Sequence, residues 1–223
     1  MKRILAIVLS ILIVMSTLGC VPASDTASEG TVDPQKAKSE AQYACGKAAY
    51  EHLNTAADIC IEMMDSIYDA WYFAIYDADD YSNSTVVLEF ASEVNLTKSE
   101  VEEAYMDVFG DAGAKDASLL PYILKQEFTY AVIIVEQAYI NNGTVQRLND
   151  ALANAKNELK TMTQEYSDYS EYPNLKSYYS EVSSYAEFAQ NPNGSFEQLK
   201  TTIETYEREI RTYKSDMSFV FED

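Results

Sequence analysis

Few residues in this chain could act as a nucleophile, a general base or a metal ligand. His52 is the only histidine, and Cys45 and Cys60 lie seven and eight positions from it, about two turns away along one predicted helix. Residues that far apart along a helix axis cannot act together as nucleophile and base. One histidine and two separated cysteines also cannot provide the clustered ligands of a zinc site. The sequence therefore predicts no enzyme activity and no cofactor.

The two cysteines are also poorly placed for a disulfide. Cys45 and Cys60 are fifteen residues apart on the same predicted helix, which separates them by about 22 Å. A disulfide joins residues whose Cα atoms lie within about 7 Å. We therefore expect both to be small core residues, and only a break in the helix between them would allow a disulfide.

The acidic segment 77–83 is a candidate cation site. Asp77 and Asp79 match the first and third positions of a helix–loop–helix calcium loop. Ser82, however, stands where that loop requires glycine, and Leu88 stands where it requires a bidentate glutamate. Two interpretations follow: an acidic turn between two helices, or weak and irregular binding of a divalent cation.

Tyrosine is unusually frequent, with 18 residues in the chain. Two aromatic groups are candidates for an interaction surface: Tyr68, Trp71, Tyr72 and Tyr76 in one, and Tyr166, Tyr169, Tyr172, Tyr178 and Tyr179 in the other. An aromatic cluster at the end of a helical bundle can recognise a protein, a peptide or a glycan, and it can equally cap the core. The sequence leaves both interpretations open.

The charge of the chain limits its partners. Its 36 acidic residues against 16 lysines and arginines give a net charge of −20. The acidic residues are concentrated in the segment 58–116. This segment contains fifteen of them and only two basic residues, Lys98 and Lys115. This composition argues against nucleic acid and anionic lipid as direct partners. The acidic region is either a solvated surface or a surface that attracts cations and basic proteins.

The spacing of apolar residues predicts the elements that would position these groups. Apolar residues recur at steps of three and four, which is typical of helices. The regions 145–169, 175–189 and 196–217 follow this spacing without a break, as in helices that pack at a shallow angle. Helices are also predicted over 36–76, with one apolar stripe from Ala41 to Ala74, over 84–94 and over 117–141. Capping boxes at Thr97 with Glu100 and at Ser195 with Gln198 predict the starts of two helices. The sequence thus predicts an all-α fold, an elongated antiparallel helical bundle of five to six helices with heptad-like packing, over residues 39–223.

The first twenty residues have the pattern of an export signal. Lys2 and Arg3 precede an apolar run, 4–18, that is too short to span a bilayer as a helix. The sequence Ser-Thr-Leu-Gly-Cys that ends at Cys20 resembles the lipobox of bacterial lipoproteins. That resemblance implies that residues 1–19 are removed, that Cys20 carries a diacylglycerol, and that two acyl chains hold the protein on the membrane. Residues 20–38 are rich in small and polar side chains and are predicted to form a flexible tether.

Together these patterns predict a membrane-anchored, extracytoplasmic lipoprotein. Its helical domain is expected to act as a non-enzymatic scaffold or protein-interaction module. The alternative is a lipoprotein that binds a small ligand or a divalent cation. The sequence names neither the protein partner nor the oligomeric state.

Overall fold

The computed structural model describes residues 33–113 and 116–222. Within these ranges the chain is helical and contains no β-strand, so the predicted all-α fold is confirmed. The described residues form eight α-helices, more than the five to six predicted: α1 Pro34–Tyr72, α2 Val86–Glu93, α3 Lys98–Phe109, α4 Leu120–Leu124, α5 Phe128–Asn141, α6 Thr144–Glu165, α7 Tyr172–Gln190 and α8 Phe196–Phe221. A π-helical turn, Phe73–Asp77, continues α1.

The long helix α1 packs against several of the others. Fifteen of its residues are buried, and they lie on more than one side of the helix: Cys45, Gly46, Ala49, Tyr50, Leu53, Ala56, Ala57, Ile59, Cys60, Met63, Met64, Ser66, Ile67, Ala70 and Trp71. Many of these side chains are small, which allows neighbouring helices to approach closely. The hydroxyl of Tyr178 in α7 donates to the Asn54 Oδ1 at 2.9 Å.

Helix α8 runs along α1 in the opposite direction. Phe196, at the start of α8, stacks on Tyr68 near the end of α1, with 5.0 Å between ring centroids. Phe221, at the end of α8, stacks on Tyr50 near the start of α1, at 5.3 Å. The hydroxyl of Tyr50 also donates to the carboxylate of Glu222 at 2.9 Å. The start of α8 therefore lies beside the aromatic residues at the end of α1.

The helix predicted over 117–141 is broken, and this break contributes to the larger number of helices. A short 3-10 turn leads into α4, which has Pro121 in its first turn. Proline lacks a backbone N–H and is favoured at a helix start. Glu127 then adopts an extended conformation, with φ −144° and ψ 98°, immediately before α5. The apolar spacing continues across both interruptions, which is why it suggested one helix.

The ends of several helices follow their sequence signals. Thr97 with Glu100, and Ser195 with Gln198, each form a complete capping box at the start of a helix. Gly143 has a φ of 79°, a left-handed conformation that glycine adopts without strain, and it separates α5 from α6. The two capping boxes and the left-handed glycine thus set these helix boundaries.

The predicted signal sequence, the lipobox and most of the predicted tether lie outside the described residues. Helix α1 begins at Pro34, so the last residues of the segment predicted as a tether are helical. The chain divides into two units, 1–36 and 37–223, and the second contains all of α2 to α8 and all but the first residues of α1. No helix in the described part of the chain is both long and apolar enough to cross a membrane.

Two buried tyrosines offer a matched test of the core. The hydroxyl of Tyr139 donates to the buried Ser66 Oγ at 2.7 Å, whereas the buried hydroxyl of Tyr185 has no hydrogen-bond partner among the described residues. Tyr139→Phe should therefore lower the free energy of unfolding by about 1–2 kcal/mol, because it leaves a buried serine unsatisfied. Tyr185→Phe should be neutral or slightly stabilising. Urea denaturation of both variants measures the difference, and equal losses would contradict this assignment.

Candidate functional site

Three tyrosines form a row where α1 runs into the π-helical turn. Tyr68, Tyr72 and Tyr76 follow one another at four-residue spacing, and Tyr72 and Tyr76 are 42% and 56% exposed. The rings of Tyr72 and Tyr76 are in contact, with 4.8 Å between their centroids and an angle of 44° between their planes. All three rings lie against Phe196, at centroid distances of 5.0, 6.4 and 6.3 Å. A helix from the far end of the chain thus fixes the row.

Trp71 supports this row from beneath. It is only 8% exposed, and its ring stacks on Phe128 at 4.9 Å and lies 5.9 Å from Phe196. Trp71 is therefore a core residue next to the candidate surface and not one of its exposed members. Phe196 and Phe128 were not predicted as site residues, since only the folded chain brings them to the end of α1.

The π-helical turn shapes the end of the row. The backbone N–H of Ala78 bonds to the carbonyl of Phe73 five residues earlier, which widens the helix by one residue. Phe73 is buried against Phe90, with 5.5 Å between ring centroids. Tyr76 nevertheless remains exposed, and Asp77 lines a recess beside it. A π-turn cannot be read from the sequence pattern.

The recess beside the tyrosines is acidic. It has a volume of about 270 Å³ and is lined by Tyr68, Asp69, Tyr72, Phe73, Asp77 and Glu93. None of its three carboxylates is paired with a lysine or arginine within the described ranges. Burial, together with the nearby charges of Asp65 and Glu93, raises the pKa of Asp69 to about 6. The recess therefore holds more negative charge than its neighbours neutralise.

A second recess lies on the other side of Tyr68. It has a volume of about 220 Å³ and is lined by Asp65, Tyr68, Lys200, Ile203, Glu204 and Glu207. Burial raises the pKa of Asp65, and burial with the charge of Asp65 raises the pKa of Glu207. The tyrosine row and the two recesses together form what we call the acidic–aromatic surface.

This arrangement suits a cationic group. Carboxylates attract positive charge, and the faces of tyrosine rings bind ammonium and guanidinium groups through cation–π contacts. Among the described residues, no group of three or more histidine, cysteine, aspartate or glutamate side chains is placed to hold a metal ion. The surface therefore has the chemistry to receive lysine or arginine side chains.

The second predicted aromatic group does not form one surface. Tyr178 is fully buried and stacks on Tyr213 with 5.3 Å between ring centroids, so its side chain belongs to the core and not to an exposed surface. Tyr166 and Tyr169 are partly buried and pack against the core. Tyr172 and Tyr179 line an open groove between α6 and α7. This group was predicted from its closeness in sequence around a turn, whereas its side chains lie in different environments.

The residues considered as nucleophile, base or metal ligand, Cys45, His52 and Cys60, all lie on α1. Cys45 and Cys60 are free and buried, as predicted. Burial raises the pKa of each thiol to about 12, and for Cys45 a hydrogen bond to Glu158 adds to the effect. Such thiols are protonated and unreactive at neutral pH. His52 lies half-buried on α1.

Comparison with protein-family models, with curated proteins and with solved structures found no match to this chain. Its function is therefore inferred from the contacts, burial and charges of its own residues. The acidic–aromatic surface combines exposed tyrosine rings with carboxylates that form no salt bridge among the described residues, and the proposed function rests on it.

Proposed function

We propose that this chain is a membrane-anchored, extracytoplasmic lipoprotein whose helical domain, an elongated antiparallel bundle, binds another protein and catalyses no reaction. The observation that carries the proposal is the acidic–aromatic surface. Tyr72 and Tyr76 are exposed, and Phe196 holds them in a row with the partly buried Tyr68. Rigid aromatic side chains lose little conformational entropy on binding, which makes them effective contact residues.

The charge of the surface defines the partner. Asp69, Asp77 and Glu93 lack cationic partners in the described part of the chain. A bound lysine or arginine would neutralise them and would lie against the tyrosine rings. The proposed partner is therefore a basic protein, or a protein with a basic segment.

The membrane anchor rests on the sequence that ends at Cys20. Its lipid would hold the helical domain close to the membrane, and residues 21–33 would form the connection to α1. Anchoring would concentrate the acidic–aromatic surface near membrane-bound or envelope proteins and thereby strengthen a weak interaction.

Crosslinking in intact cells followed by affinity purification tests this function. We expect a basic partner to be recovered with the lipidated wild-type protein. Cys20→Ala should abolish incorporation of a labelled fatty acid into the protein, because residue 20 then has no thiol to carry the lipid. The double variant Tyr72→Ser/Tyr76→Ser should stay on the membrane but lose the partner.

The matched control is Tyr122→Ser/Tyr130→Ser, which removes two exposed tyrosines from α4 and α5. The control should recover the partner as the wild type does. If the Tyr72/Tyr76 variant recovers the same proteins as the control, the acidic–aromatic surface is not the binding site. If Cys20→Ala incorporates as much labelled fatty acid as the wild type, the lipid anchor at Cys20 is wrong.

A further inference from the structure

A groove between α6 and α7 has the opposite charge to the acidic–aromatic surface. It has a volume of about 340 Å³, is open to solvent, and is lined by Lys156, Leu159, Lys160, Thr163, Gln164, Tyr172, Lys176 and Tyr179. Three of these residues are lysines and none is acidic. This is unexpected in a chain with 36 acidic and 16 basic residues.

The lysines of this groove are not neutralised by neighbouring side chains. Lys38, Lys98 and Lys214 each form a salt bridge with a carboxylate. In contrast, Lys156, Lys160 and Lys176 form no salt bridge or hydrogen bond with another described residue.

Two of these lysines are also placed unfavourably for the isolated protein. Lys156 and Lys160 lie four residues apart on α6, and like charges at this spacing destabilise a helix by a few tenths of a kcal/mol. In a complex, both lysines would attract an anionic partner. The pair therefore favours binding, while the repulsion between the two lysines lowers the stability of the free protein by a small amount.

The floor of the groove is apolar. Leu159 is 7% exposed and belongs to the core, and the half-buried rings of Tyr172 and Tyr179 extend that apolar surface outward. The hydroxyls of Tyr172 and Thr163 are hydrogen-bonded to each other at 2.6 Å. An apolar side chain could lie on this floor while the lysines contact carboxylates around it.

We propose that the groove between α6 and α7 binds an acidic segment of a partner protein that also carries apolar side chains. Carboxylates of the segment would contact Lys156, Lys160 and Lys176. The three lysines attract the carboxylates of the segment, and the apolar floor favours a segment with apolar side chains over a purely polar anion. Because the groove is open and not enclosed, it fits a stretch of polypeptide better than a small molecule.

The groove and the acidic–aromatic surface are separate sites. Glu158, next to the groove on α6, contacts Cys45 of α1, whereas the tyrosine row begins at Tyr68, about 35 Å further along that helix. At physiological ionic strength charges are screened beyond about 8 Å. Each site therefore responds to its own local charge despite the net charge of −20. Two sites of opposite charge would allow one domain to connect a basic partner with an acidic one.

A peptide of glutamate and leucine, labelled with fluorescein, provides the test with the mature chain, residues 20–223, carrying Cys20→Ser so that it bears no lipid. Fluorescence anisotropy should show saturable binding that weakens as sodium chloride is added. The variant Lys156→Gln/Lys160→Gln/Lys176→Gln should bind at least about tenfold more weakly. Circular dichroism and thermal unfolding establish that the variant is folded.

The control variant Lys47→Gln/Lys98→Gln/Arg208→Gln changes the net charge equally but leaves the lining residues of the groove and of the acidic–aromatic surface intact. It should bind the glutamate–leucine peptide within about twofold of wild type. A glutamate–serine peptide should bind more weakly than the glutamate–leucine peptide, because it cannot use the apolar floor. A lysine–leucine peptide should bind the groove variant no more weakly than wild type.

Three results would overturn the proposal: no binding of the glutamate–leucine peptide, equal losses in the groove and control variants, or equal binding of the leucine and serine peptides. None of them bears on the acidic–aromatic surface, because its test uses a basic peptide and different variants.

Discussion

Replacing Glu136 by glutamine will raise the free energy of unfolding at about pH 8 by up to about 3 kcal/mol. Glu136 lies half-buried on α5 beside a small recess of about 80 Å³ lined by apolar residues including Met63, Ile140 and Val145. Burial raises its pKa to about 7 from an ordinary value of 4.5. Above that pH the folded protein therefore holds a buried carboxylate that has no salt-bridge partner in the described residues.

The sign of the pH dependence follows from this raised pKa. Below about pH 4.5 the carboxyl is protonated in both the folded and unfolded states, so it causes no loss of stability. Between about pH 4.5 and pH 7 the unfolded chain releases the proton while the folded chain keeps it. The wild-type protein should therefore lose stability over this range as pH rises, and the gain from Glu136→Gln should disappear near pH 4.5.

Urea denaturation at both pH values measures the effect. Glu103→Gln, an exposed residue on α3, removes the same charge and is the control for general charge repulsion. We expect it to change stability by less than about 0.5 kcal/mol. If both variants gain equally, or if the gain from Glu136→Gln persists at about pH 4.5, the buried carboxylate is not the cause.

Replacing Gly46 by leucine will lower the free energy of unfolding by about 2 kcal/mol. Gly46 is buried on α1, where a Cβ atom would lie 2.8 Å from Cε1 of Tyr169 and 3.1 Å from Cζ of Phe221. A leucine side chain would displace both rings, and Phe221 would lose its stacking on Tyr50. The better helix propensity of leucine, worth up to about 1 kcal/mol, offsets only part of this loss.

Thermal unfolding followed by circular dichroism measures the loss, which should lower Tm by roughly 4–8 °C. Ala44→Leu is the matched control, since Ala44 is exposed on the same helix two residues away. It should leave Tm within about 2 °C of the wild type. A Gly46→Leu variant as stable as the control would show that Tyr169 and Phe221 do not pack on α1 at this position.

The sequence predicted the local structure well where the signal lies within one helix. The capping boxes at Thr97 and Ser195 depend on side chains three residues apart, and both are present as predicted. The apolar seams indicated the positions of the last three helices for the same reason. The interruption at Glu127 was missed because a short extended segment does not disturb the apolar spacing on either side.

The core of α1 was predicted only in part. A single stripe of apolar residues indicates one buried face, whereas α1 is buried on several sides. Ala49, Ala57 and Ala70 are small enough to lie against neighbouring helices, and small residues give a weak hydrophobic signal. Which sides of a helix are covered depends on the helices around it, and this information is not local.

The candidate site could also be predicted from the sequence only in part. The sequence places Tyr68, Tyr72 and Tyr76 near one another, and in the structure the rings of Tyr68 and Tyr76 each lie beside that of Tyr72. Phe196 and Glu93 could not be assigned to the same place, because they arrive there from other helices. In the second aromatic group, the buried Tyr178 and the groove residue Tyr179 are adjacent in sequence, so sequence proximity alone could not separate them.

Binding of a short arginine–leucine peptide, followed by the emission of Trp71, tests the central claim most directly. Trp71 is the only tryptophan and lies directly beneath the tyrosine row, so its emission reports on that surface. We expect a saturable change for the wild type, and at least about tenfold weaker binding by the variant Asp69→Asn/Asp77→Asn/Glu93→Gln. The control Glu103→Gln/Asp111→Asn/Glu127→Gln should bind within about twofold of the wild type.

Two further conditions of the same titration separate the alternatives. Binding should weaken as the pH falls below about 6, where Asp69 becomes protonated. Calcium chloride should act no differently from sodium chloride at equal ionic strength. Equal binding by the surface and control variants would contradict the account, and a saturable response to sub-millimolar calcium would favour a cation-binding protein instead.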